Sequence, residues 1–175
     1  NGVENIRAKI VTRAVLLDLP RFKGVERLAD GYAITEADII ACLDKQEVAV
    51  GTGDILLIRT GQLGYCKQHG WGAFAGGDAP GLSFSTAGWL HRTQLAGVAS
   101  DTWGVEVRPN ELPNSYQPLH QVMIPNMGLL VGEMFDLDAL AADCASDHIY
   151  DCLFVAPPLP ITGAVGSPVN PQAIK

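Results

Sequence analysis

His120 and Glu133 pair an imidazole with a carboxylate, ligand types that can hold a divalent metal ion. His120 lies between Pro118 and an apolar turn, and Glu133 ends the apolar run Leu129–Gly132. Taken alone, His120 reads as a packing histidine. Paired with a carboxylate at the end of the next strand, it becomes a metal-ligand candidate. Three other polar residues end apolar runs: Asp18 after Ala14–Leu17, Thr60 beyond Ile55–Ile58, and Asp101 after Gly97–Ser100. Ligands collect outside the carboxyl ends of strands in open α/β sheets. Strands also end in Asp simply to start a turn. Asp18 and Thr60 read as turn residues; for Asp101 the two readings balance.

The remaining histidines offer less. His69 and His148 read as surface residues, and His91 as a half-buried packing residue in a helix. The four cysteines, Cys42, Cys66, Cys144 and Cys152, show no C-x-x-C spacing and read as reduced, mostly buried thiols. Several chemistries find no support: there is no G-x-G-x-x-G, no Walker loop and no H-E-x-x-H. The run Gly81-Leu-Ser-Phe-Ser85 starts like a nucleophile elbow but lacks its closing glycine.

The elements that must carry these residues alternate between short apolar runs and helical patterns. Strands are expected over 11–19, 54–60, 97–100, 129–131 and 149–155. Thr35-Glu-Ala-Asp38 has the form of a capping box, with Ile39, Ile40 and Leu43 behind it. Helices are also expected from Ser85 or Thr86 through Leu90, from Pro118 to Met123, and over Leu137–Cys144 behind an Asp136 cap. The glycine-rich stretch 61–82 reads as a long irregular loop, and the proline-rich tail as largely irregular. The whole is one α/β domain over residues 1–175, without a linker.

Composition narrows the partners. A 47% hydrophobic content and a mean hydropathy of +0.15 are enough for a real core, while every apolar run is strand-sized. Basic and acidic residues nearly balance through Arg108, but Pro109–Ile174 holds seven acids and no Lys or Arg. A net charge of -7 and a cation-free tail argue against nucleic acid or an anionic membrane as partner.

The segments RAVLLDL (13–19), DILLIRTG (54–61), PGLSFSTAGWL (80–90), GVASDTWGVEVR (97–108), LHQVMIPNMGLLVGE (119–133) and 151–174 together resemble the cyclase family of bacterial kynurenine formamidases and isatin hydrolases. Their order and spacing match across nearly the whole chain. The resemblance implies a three-layer β/β/α swivelling fold with a mixed sheet. It also implies a hydrolase of a small amide or lactam, in which a hydroxide activated by Mn2+ or Zn2+ attacks the carbonyl.

The resemblance maps His120 and Glu133 onto the family's downstream histidine and glutamate, as metal ligands and catalytic groups. The upstream motif H-x-G-T-H-x-D-x-P-x-H is absent from these residues. The start at Asn1 therefore reads as the beginning of a C-terminal portion, with the remaining ligands supplied from upstream. Asp101 is a second-shell candidate, and Trp103 and Phe84 are candidate substrate walls. A cytoplasmic homodimer or homotetramer is expected. The competing reading is a catalytically silent family member that binds or scaffolds. If the metal-ligand reading holds, His120 and Glu133 should place donor atoms within about 4 Å of each other, with Glu133 substantially buried.

Overall fold

The computed structural model describes residues 2–175; Asn1, where the sequence reading begins the C-terminal portion, lies outside the described residues. The central strand β1 (Val11–Asp18) is buried over its last five residues because both faces of the sheet are covered. Asp18 accepts a hydrogen bond from the Arg21 N–H and so caps the short helix α1 (Leu19–Lys23). After β2 (Ala33–Ile34), Thr35 opens α2 (Glu36–Lys45) through the expected capping box, its hydroxyl and the Asp38 carboxylate each accepting the other's backbone N–H. β3 (Ile55–Arg59) follows and leads into α3 (Gln62–His69). Next come β4 (Gly81–Leu82), α4 (Ala87–Thr93) and β5 (Gly97–Ser100). α5 (Pro118–Val122) runs into a π-helical turn over Met123–Met127, and β6 (Leu130–Gly132), α6 (Asp138–Asp147), β7 (Asp151–Val155) and β8 (Gln172–Ile174) complete the chain.

The main sheet has the order β6-β5-β3-β1-β7-β8. β1, β3, β5 and β6 are mutually parallel, and β7 and β8 add antiparallel pairings, so the sheet is mixed as expected. Alternation along the strands divides the core in two. Val15, Leu17, Leu56, Ile58 and Val98 face the small parallel β2–β4 sheet and α2, α4 and α5. Ala14, Leu16, Ile55, Leu57 and Ala99 face α6, whose Ala141 and Cys144 close the other side. Among the described residues no helix is long and apolar enough to cross a membrane.

Two local expectations need correction. The stretch 61–82 is not a continuous loop, because 62–69 is helical. Gly64 weakens its amphipathic pattern, and long-range packing of Leu63 and Cys66 on Phe74 and Trp103 holds it. The tail is largely irregular as expected, with only residues 172–174 adding the short β8 on the free edge of β7. Asp136 does not cap α6, which begins after Leu137; it pairs with Lys67 instead.

Candidate functional site

The site begins with the entry into α5. Pro118 occupies the first helical turn, where its missing N–H costs nothing. The N–H groups of Leu119 and His120 are satisfied from outside the helix, both donating to the buried Glu106 carboxylate at 3.0 and 3.1 Å. The same carboxylate lies 2.6 Å from His120 Nδ1, which fixes the ring. Nε2 then points at Glu133, 3.2 Å from Oε1, inside the 4 Å that shared coordination requires.

One imidazole therefore stands between two carboxylates. With Nδ1–H donating to Glu106, the neutral ring would aim a lone pair at the Glu133 carboxylate. The row is favourable only with a proton or another cation at Nε2. Burial works to lower the His120 pKa, but hydrogen bonds to Glu106 and Glu133 outweigh it and push the imidazole up to about 9.

Glu106 was not singled out by the sequence reading. An acid between Val105 and Val107, inside an apolar alternation, was the available signal. Glu133 is less buried than expected: its side chain is 36% exposed, and it follows β6, an edge strand of the main sheet. Asp101 is fully enclosed, but it accepts hydrogen bonds from the Thr60 N–H and hydroxyl and the Gly61 N–H. It thus ties the end of β5 to the turn after β3 rather than bonding to His120. Thr60 is its partner, and Asp18 is held by Arg21 and Arg59, so neither faces a ligand.

Trp103 is half-buried against the small cluster around α3 and donates from Nε1 to the Gly77 carbonyl. Thr102, next to it, accepts the Met134 N–H, which sets Trp103 beside the Glu133 segment. Phe84 packs on the main core and donates its N–H to Glu111. His69 and His148 are exposed as expected; His91 is exposed rather than half-buried, because it faces away from the core on α4. All four cysteines are buried and free.

The segment carrying Glu106 is seated on β4, where Leu82 bridges it. A Cβ added at Gly81 would overlap the backbone of Val105 and Glu106. Gly81→Ala is therefore expected to cost about 1–3 kcal/mol, lower the melting temperature by about 5 °C, and loosen the Glu106–His120 contact. A melting curve that matches the parent's would refute that close seating.

Among the described residues, no group of three or more His, Cys, Asp or Glu converges as a metal cage. The pair nonetheless fits two positions of one: a nitrogen and a carboxylate oxygen converge, and a buried carboxylate fixes the histidine's other nitrogen.

The fold is a mixed α/β sheet, and the imidazole–carboxylate pair includes Glu133, just beyond the carboxyl end of the parallel strand β6. The family model described as "Putative cyclase" matches residues 1–107, and the chain belongs to that cyclase family. A crystal structure of a novel cyclase is 40% identical, with a TM-score of 0.90, over 99% of this chain and 57% of its own. Isatin hydrolase A from Labrenzia aggregata, bound to benzyl benzoate, is 21% identical with a TM-score of 0.77, over 99% of this chain and 65% of its own. Isatin hydrolase A from Ralstonia solanacearum is 19% identical with a TM-score of 0.74, over 98% of this chain and 63% of its own. This chain thus spans about three fifths of the length of these structures. No curated protein matches it.

Proposed function

We propose that these residues form the downstream part of a metal-dependent hydrolase that opens a small amide or lactam, in the manner of an arylformamidase or isatin hydrolase. The observation that carries this reading is the row Glu106–His120–Glu133, in which a proton or a metal cation at Nε2 would bridge the imidazole and Glu133. His120 Nε2 and Glu133 would hold Mn2+ or Zn2+, with further ligands from a segment outside these residues. A divalent cation bound there would supply Lewis acidity to the scissile carbonyl and lower the pKa of the attacking water.

The chain's own groups do the rest. Glu106 keeps the proton on Nδ1 and holds the ring in one orientation. Glu133, partly open, borders the entry for substrate. Trp103 offers an aromatic wall, and Phe84 is the second aromatic candidate. The same reading carries a cytoplasmic homodimer or homotetramer acting on a small-molecule amide.

The test is turnover of formanilide and isatin by the full-length protein after chelation and after addition of Mn2+ or Zn2+. Ring opening or deformylation that disappears on chelation and returns with metal is expected. Full turnover in chelated protein would sink the metal reading, and a metal-loaded protein inert toward both would favour the binding or scaffolding alternative.

A further inference from the structure

Among the described residues, the guanidinium of Arg108 has no carboxylate partner. Its Nε and Nη1 are buried and have no hydrogen-bond partner among the described residues. Its Cζ lies 5.5 Å from the Trp103 ring centroid and 4.8 Å from that of Tyr116. These aromatic faces offset part of the desolvation. They do not supply the acceptors that a guanidinium's N–H fork requires, and buried N–H groups left unpaired are costly. A carboxylate can meet the guanidinium along either of two edges, Nε with Nη2 or Nη1 with Nη2, and so satisfies one of the two unpaired groups at a time.

Arg108 is also two residues from Glu106, the carboxylate that holds His120. Residues 105–108 run along β4, with Leu82 bridging Glu106 and Ala79 bridging Arg108. Val105, Glu106 and Val107 are all buried. Glu106 holds His120, and Trp103 sits beside the Glu133 segment. Of the two rings at Arg108, Tyr116 is the exposed one, at 60%. It is therefore the ring that would have to move for a ligand to reach the guanidinium from solvent.

We propose that Arg108 binds the carboxylate of the substrate, which makes the substrate class an aryl amide or lactam that bears an acidic group. The word "substrate" rests on the hydrolase reading above; the carboxylate site itself does not require turnover. Two measurements keep these apart. In the first, benzoate and its neutral counterpart benzamide are titrated by calorimetry into chelated full-length protein, so that no metal can bind the anion. Benzoate is expected to bind at least about 10-fold more tightly than benzamide, as a charge-assisted bidentate contact provides. Arg108→Met should remove that preference without changing benzamide binding, and Arg108→Lys should restore part of it.

In the second measurement, metal-loaded protein is assayed with 2-formamidobenzoate and formanilide. Arg108→Met should raise KM for the acidic amide at least about 10-fold more than it raises that for formanilide. Equal affinity of the parent protein for benzoate and benzamide overturns the proposal, whether or not either variant folds. Equal loss of both ligands in Arg108→Met also overturns it, because Arg108 would then serve the fold or pair with a carboxylate of the protein. A benzoate preference without hydrolysis of either amide supports the carboxylate site and removes the hydrolase reading. Hydrolysis without that preference does the reverse.

Discussion

His120→Ala is expected to reduce metal-dependent turnover of the full-length protein by more than about 100-fold, beyond the range for losing a group that merely supports a ligand. The variant deletes the nitrogen that faces Glu133 and also frees the Glu106 carboxylate from its ring contact. A purely structural His120, protonated between two carboxylates, would predict only a stability loss. Metal response separates the two cases. If His120 is a ligand, Mn2+ or Zn2+ should raise the melting temperature of the parent protein by mass action and do so far less in His120→Ala. Glu106→Gln should fall between them, losing about 10–100-fold in metal affinity, because an amide can still meet Nδ1–H but carries no charge. Metal contents that are the same in all three proteins, with turnover intact, would end the assignment of His120 as a ligand.

Asp101→Ala is expected to be the most destabilising single change, by about 3–5 kcal/mol, since it orphans the buried Thr60 and Gly61 N–H groups at once. Against a typical total of about 5–15 kcal/mol, this should lower the melting temperature by about 10 °C. Asp101→Asn should also destabilise, because one of its termini is a donor that must face a donor. A pH signature accompanies it. Burial pushes the Asp101 carboxyl up to about 6 from an ordinary 3.8, against the hydrogen bonds from Thr60 and Gly61 that pull it down.

The folded state therefore holds this proton more tightly than the unfolded chain. The associated stability is present in full below about pH 4 and is lost as the pH rises through 6. Parent stability should carry a falling limb in that window, and Asp101→Asn should not. Asp38 acts with the opposite sign and at lower pH. Burial works to raise it, but hydrogen bonds from Lys23, Thr35 and Tyr32 hold it at about 2. Its contribution, present above pH 3.8, fades as the pH falls through 2. Chemical denaturation between pH 2 and 7 distinguishes the two limbs; the absence of the upper one would show that Asp101 is not perturbed by its burial.

The frame was legible because its signals are local. β1 and β3 are apolar runs long enough to be buried on both faces, and the capping box at Thr35 is written in four consecutive residues. The ordered blocks from Arg13 through Ile174 also carried the family resemblance. His120 and Glu133 could be paired because each sits at the edge of an apolar element, where a sheet of this kind presents its groups. Whether they would meet was not written there. α3, β8 and the enclosure of Asp101 depend on partners distant in sequence, so no local pattern announces them.

Glu106 shows the same division most clearly. Its sequence neighbours mark it as an acid inside an apolar stretch, and nothing local gives it a partner. Tertiary structure supplies one: Gly81 admits the 105–108 segment against β4, and the loop before Pro118 returns α5 so that two of its N–H groups and one imidazole converge on that carboxylate. The sequence by itself determined which residues could be buried and which could do chemistry, because burial and reactivity belong to residue types and their spacing. Only the tertiary structure decided which charges face one another, because that energy falls off within a few ångströms and depends on how separate segments pack.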